Sequence, residues 1–223
     1  MAEHRPIPVG VLYSKTGFTS HIESSQRLAT LFAIEEINQA GGINGREVVP
    51  IIYDPQSDAS TYRNLAERLV SVDGVKVIFG CYMSSTRKAV IPVVERRNCI
   101  LFYATLYEGF EFSNNLIYTG AAPNQNSVQL ADFMMSHFGA RVYTVGSDYI
   151  YPYESNRIMT DLVMQRQGGP RHRMDAAGGR RQSGPPANVS PTGNYGPGAR
   201  IHLPVPIGRA ELVLLERGHG RIQ

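Results

Sequence analysis

Three short segments gather the side chains that could hold a ligand: Gly80-Cys81-Tyr82-Met83-Ser84-Ser85-Thr86, Tyr103-Ala104-Thr105-Leu106-Tyr107-Glu108-Gly109 and Gly146-Ser147-Asp148-Tyr149-Ile150-Tyr151-Pro152. Tyrosine supplies a flat wall and a hydroxyl together, and Ser and Thr hydroxyls both donate and accept. Tyr82, Tyr103, Tyr149 and Tyr151 around Ser84 and Thr105 would make a small cavity that hydrogen-bonds without fixed charge. That chemistry suits a small, neutral, polar ligand. A zwitterionic amino acid would require an arginine and a carboxylate, and the only charged residues in these segments are Asp148 and Glu108. Read singly, each tyrosine is a core side chain and Ser84 or Ser85 is a helix cap. The agreement of three segments favours binding.

Catalysis has little support. The chain contains no GxSxG elbow, Walker loop, GxGxxG fingerprint or HExxH pair. His4, His21 and His137 fall in a terminus, a loop or helix start, and a helix end, and read as surface residues. Asp54 reads as a loop cap, and Arg87-Lys88 reads as a solvated helix face rather than a phosphate grip. Cys81 and Cys99 lack CxxC or metal-ligand spacing and read as buried free thiols. Neither enzyme activity nor a cofactor or metal is expected.

The three segments follow predicted strands in an alternating pattern. Pro8–Tyr13 is an apolar run, and 22–40 then places Leu28, Leu31, Phe32 and Ile37 on one predicted helical face. Val48–Tyr53 predicts a second strand, and Asp58 caps a helix through Val72 with Tyr62, Leu65, Ala66 and Leu69 inward. Strands at 75–79, 99–103, 116–118 and 142–146 and helices starting at Ser84 or Ser85, at 128 and at 153 complete the pattern. Repeated strand–helix units imply an α/β fold with a parallel sheet flanked by helices. In such sheets ligands sit beyond the carboxyl ends of the strands, where these three segments fall.

Composition divides the chain. The 223 residues are 42% hydrophobic and 18% charged, enough for a sizeable core, and no apolar run reaches the roughly 20 residues of a membrane span. Residues 168–223 hold 11 of the 22 Gly, 7 of the 14 Pro and 8 Arg against 3 acids. Such a segment reads as disordered rather than as a nucleic-acid arm, since apart from Tyr195 it lacks interleaved aromatics and it has no repeated motif. The expected organisation is a first α/β lobe at 1–120, the start of a second at 121–167, and a Gly/Pro/Arg-rich tail at 168–223. No secretory leader is legible at residues 1–10, which leads to an expected cytoplasmic location, with the periplasm as the alternative.

The strings Gly80-Cys81-Tyr82-Met83-Ser84, Thr86-Arg87-Lys88-Ala89-Val90, Pro92-Val93-Val94-Glu95, Tyr107-Glu108-Gly109-Phe110-Glu111, Ala122-Pro123-Asn124-Gln125-Asn126 and 146–152 carry a resemblance. Over about residues 7–167 the chain resembles the aliphatic amidase expression-regulating proteins and the urea and short-chain-amide substrate-binding proteins of ABC transporters. The resemblance implies a periplasmic-binding-protein type I fold, two hinged α/β lobes closing on a small ligand, with the second lobe incomplete here. Carried over residue by residue, the amide pocket falls on Tyr82, Ser84, Tyr103, Thr105, Tyr149 and Tyr151. Ala104 and Leu106 stand where the amidase regulator has prolines, which leaves amide against urea preference open. The implied function is nonenzymatic sensing of a small amide or urea, with an antitermination regulator as partner. The alternative is the solute-binding component of an ABC transporter, with a permease as partner. Neither reading involves nucleic acid directly or insertion into a membrane, and self-association is left open.

Family members run to nearly twice this length. Codons for Arg173–Gly179, read one base over, permit Trp-Met-Pro-Leu-Gly, which is similar to a string in the family's second lobe. The tail is therefore expected to be an out-of-frame reading, natural or in the gene model, and the remaining stub of a lobe to leave Phe133, Val142, Val145 and Ile158 partly exposed.

Overall fold

A computed structural model describes residues 5–139, 142–145, 149–166 and 212–215. The chain forms two compact units, Met1–Ala122 and Pro123–Gln223. The first unit carries β1 (Ile7–Leu12), α1 (Ser20–Gln39), β2 (Val48–Tyr53), α2 (Ala59–Ser71), β3 (Val77–Gly80), α3 (Ser84–Arg97), β4 (Ile100–Tyr103) and β5 (Leu116–Tyr118). Its five strands form one sheet in the order β2-β1-β3-β4-β5, every neighbouring pair parallel. Parallel neighbours need crossovers, and α1, α2 and α3 supply three of them. The fourth, from β4 to β5, is a loop without a helix.

Alternation along each strand sends side chains to opposite faces. On one face Leu12, Ile78, Leu101, Tyr103 and Leu116 pack with Tyr62, Ala66, Leu69 and Val70 of α2 and Val90, Val93 and Val94 of α3. The α2 helix starts as its sequence predicts: Asp58 accepts from the Thr61 backbone N–H at 2.8 Å, and Tyr62, Ala66 and Leu69 are buried. Neither Ser84 nor Ser85 caps α3. The N-cap is Met83, and the first turn is tied by the Thr86 hydroxyl donating to the Met83 carbonyl at 2.9 Å.

On the other face a smaller cluster joins Val9, Val11 and Tyr13 to Ile34 of α1 and Val48 of β2. The predicted inward face of α1 is a correction. Leu28 and Phe32 are 61% and 62% exposed, and the buried residues of α1 are Glu23 and Ile34. Polar donors around Glu23, described below, set the rotation of the helix. Farther across this face Phe79, Phe102 and Ile117 stand in register on β3, β4 and β5. The Phe79 and Phe102 rings stack at 5.0 Å, and Ile117 remains 40% exposed.

The second unit carries α4 (Pro123–Phe138), β6 (Val142–Val145), α5 (Ile150–Arg166) and β7 (Leu212–Leu215). Ala131 and Met134 of α4 pack on Met159 and Val163 of α5. Phe133 is exposed as expected, whereas Ile158 is buried. The tail at 168–223 lies outside the described residues except for Leu212–Leu215, which differ from the reading of that segment as disordered by pairing antiparallel with β6. The four are the apolar part of the run that breaks the Gly/Pro/Arg bias, the one stretch there with side chains suited to a strand.

Candidate functional site

The carboxyl ends of β1, β3 and β4 are held by two buried polar networks. After β1, Glu23 lies fully buried at the start of α1 and accepts from the Ser14 backbone N–H at 2.6 Å and from the hydroxyls of Thr19 and Tyr62. The Ser14 hydroxyl accepts in turn from the Ser57 N–H at 2.9 Å. Burial, with Cys81 and the Glu23 carboxylate beside it, pushes the Tyr62 hydroxyl far above its ordinary pKa and keeps it a donor. On the rim Asp54 accepts from the backbone N–H groups of Lys15, Thr16 and Gln56 and from the Thr16 hydroxyl, the loop cap expected of it. Burial raises the Asp54 carboxyl, and those four donors together outweigh it, holding it below the usual carboxylate range.

The second network follows β3 and β4 and corrects the reading of Arg87 as a solvated residue. Arg87 is fully buried. Its Nη2 donates to Glu108 Oε1 and its Nε to Glu111 Oε1, each at 2.8 Å, and its Cζ lies over the rings of Tyr103, Tyr107 and Tyr118 at 4.8, 5.6 and 5.9 Å. Burial opposes the guanidinium charge, and Tyr103, Glu108 and Glu111 together overcome it, raising the pKa above its ordinary value. Lys88 Nζ donates to Glu111 Oε2 at 2.8 Å, and the Tyr118 hydroxyl donates to the same carboxylate. The stacked Tyr107 and Tyr118 rings, 4.0 Å apart, close the cluster. The network pins the helix-free β4–β5 loop onto α3.

The predicted site residues divide between the two units. Ser84 is buried and its hydroxyl donates to Glu108 Oε2 at 2.7 Å, so its proton belongs to the Arg87 network. The Tyr103 hydroxyl donates to the Tyr82 carbonyl at 2.7 Å, which joins the strand end of β4 to the loop after β3. Burial pushes the Tyr103 hydroxyl well above its ordinary pKa. Tyr82 and Thr105 remain partly open to solvent. Thr105 Oγ1 accepts from Gln26 Nε2 of α1 at 3.1 Å, a contact across 79 residues. Tyr149 precedes α5 and Tyr151 lies in its first turn, both in the second unit and both half-buried. Asp148 falls outside the described residues.

Two residues at this edge were not legible as site residues. Arg87 looked solvated because its partners lie 21 and 24 positions away, and the pair Glu108 and Glu111 in a tyrosine-rich loop was the available signal. Gln26 left no signal at all. Among the described residues no group of His, Cys, Asp and Glu could hold a metal ion, and no helix is long and apolar enough to cross a membrane. The arrangement offers hydroxyls and ring faces, with Arg87, Lys88, Glu108 and Glu111 consumed in ion pairs.

A family model described as a periplasmic binding protein domain matches residues 7–175. The chain belongs to the periplasmic binding protein family. Its first unit has the α/β architecture, with a parallel sheet flanked by helices, shared with solved members. Among curated relatives of this family, the leucine-, isoleucine-, valine-, threonine- and alanine-binding protein of Pseudomonas aeruginosa is 34% identical over 86 residues, 39% of this chain and 23% of that protein. A solute-binding protein of an ABC transporter from Rhodopseudomonas palustris BisB5, solved with 3,4-dihydroxybenzoic acid, superposes with a TM-score of 0.60 at 18% identity, covering 75% of this chain and 46% of that one. The branched-chain amino acid transporter substrate-binding protein LivJ of Streptococcus pneumoniae, solved with isoleucine, gives 0.57 at 14% identity over 70% and 46%. The chain thus spans less than half the length of these solved relatives, and such likenesses carry the fold alone.

Proposed function

We propose that this chain supplies the first lobe, residues 1–120, and the start of the second, 121–167, of a receptor that delivers a small uncharged solute, a short amide or urea, to an ABC permease. The transporter role rests on the names of the relatives, which are binding proteins and transporter components. The ligand class rests on one observation: Arg87, Lys88, Glu108 and Glu111 neutralise one another, so the edge formed by Tyr82 and Thr105 presents polar atoms and draws no net charge from this cluster. Tyr149 and Tyr151 of the second unit are proposed as ligand residues from the resemblance alone. On the transporter reading the protein works in the periplasm, the compartment in the family's description, rather than in the cytoplasm expected from residues 1–10.

Titration calorimetry with acetamide, urea, L-isoleucine and 3,4-dihydroxybenzoate tests the ligand class. Heat with acetamide or urea and none with the other two supports it; the opposite order overturns it. The strings at 80–84, 107–111 and 146–152 favour a second reading, a sensor that holds an antitermination regulator. Neighbouring permease and ATPase genes support transport, whereas a neighbouring amidase and RNA-binding antiterminator support sensing.

A further inference from the structure

Thr105 is held from two sides. Beneath it, Gly120 packs so closely that a Cβ there would meet the Thr105 carbonyl carbon at 2.2 Å, which fixes the backbone of the residue. Beside it, the Gln26 carboxamide fixes the hydroxyl, with Nε2 donating to Oγ1 at 3.1 Å. A threonine hydroxyl has one proton and two lone pairs. With one lone pair occupied by the Gln26 N–H, its proton is left to donate elsewhere.

The other end of the same carboxamide is unsatisfied. Gln26 Oε1 is a buried atom without a hydrogen-bond partner, an arrangement that costs stability unless something supplies a donor. The Thr105 proton and the Gln26 oxygen therefore form an adjacent donor and acceptor on one edge of the first unit. That pattern complements the C=O and N–H carried side by side by a primary amide or urea. A carboxylate offers two acceptors and no N–H, so it leaves Gln26 Oε1 bare.

We propose that Gln26 is a specificity-determining residue of the ligand site, accepting an N–H from a bound carboxamide or urea while orienting the Thr105 hydroxyl to donate to the carbonyl oxygen of the same molecule. The inference rests on the reading of Thr105 as a ligand contact. It is tested by titrating acetamide, with acetate as the control, into the wild type and into Gln26→Leu, Gln26→Glu and Thr105→Val, with a thermal midpoint for each. The expected result is that Gln26→Glu, nearly the same in shape, weakens acetamide at least tenfold with its midpoint close to that of the wild type. A carboxylate there takes the Thr105 proton for itself and turns it away from the ligand. Gln26→Leu is expected to weaken acetamide as strongly. If Gln26→Glu binds acetamide as the wild type does while Thr105→Val abolishes binding, the role of Gln26 is overturned and that of Thr105 stands. If Thr105→Val binds normally, or the wild type binds no acetamide, the reading of the site falls and the inference with it.

Discussion

The two faces of the first sheet are finished to different degrees. Beneath α2 and α3, Leu12, Leu69, Ile78, Val90, Val94 and Leu101 are wholly buried, and the β4–β5 loop seals the far edge through Arg87. Beneath α1, burial stops at β1 and β2, and the row Phe79, Phe102 and Ile117 is only partly covered. A parallel sheet is stable when both faces are covered. The contrast teaches that the closed face carries the stability of this unit, while the open face is only partly covered.

Breaking the closed face should cost most. Arg87→Leu strands Glu108 and the Ser84 hydroxyl in the interior, and removal of one partner of a buried ion pair costs about 3–5 kcal/mol. Guanidinium chloride unfolding followed by circular dichroism should show that loss; a change under about 1 kcal/mol would mean the pair is not buried in solution. Leu69→Ala, in the middle of the same face, should cost about 2–5 kcal/mol, and Phe102→Ala on the open face clearly less, because its cavity is already in contact with water. Equal losses would erase the contrast between the faces.

Acid should act through the same edge. Burial raises the Glu111 carboxyl, but donation from Lys88, Tyr118 and Arg87 outweighs it, and its pKa falls below the ordinary value in the folded state. A lowered carboxylate stabilises the fold above its unfolded pKa, and that contribution disappears as pH falls through the carboxylate range. Stability measured from pH 7 to pH 3 should decline less steeply in Glu111→Gln than in the wild type. The smallest effect belongs to α1: Phe32→Ser should change stability by no more than about 0.5 kcal/mol, since the residue is largely exposed. A larger loss would restore Phe32 to the interior that periodicity assigned it.

Much of the first unit was legible, and the failures have physical causes. Strands announced themselves as short β-branched runs, and α2 as a cap followed by Tyr62, Ala66 and Leu69 at helical spacing. In α1, apolar residues are spread around the helix, so hydrophobic phase pointed to a face that the structure leaves largely exposed; three donors converging on the Glu23 carboxylate set the rotation instead. The loops after β3 and β4 were singled out because, in parallel α/β sheets, ligands sit beyond the carboxyl ends of the strands. What those loops do internally was hidden, because Ser84 and Tyr103 spend their protons on Glu108 and on the Tyr82 carbonyl, partners set by tertiary geometry. The Gln26 contact with Thr105 spans 79 residues and carries no local pattern.

Cys81 and Cys99 give the closed face a built-in clock. Both thiols are buried in it, and burial raises Cys99 to about 11 and Cys81 higher still, so neither is a competent nucleophile while the unit stays shut. Each becomes reactive only in molecules that have opened far enough to admit a reagent. The rate of alkylation by iodoacetamide therefore counts opening events. Comparing the rates at the two thiols resolves whether the β3 end and the β4 end of the face open as one cooperative block or in turn.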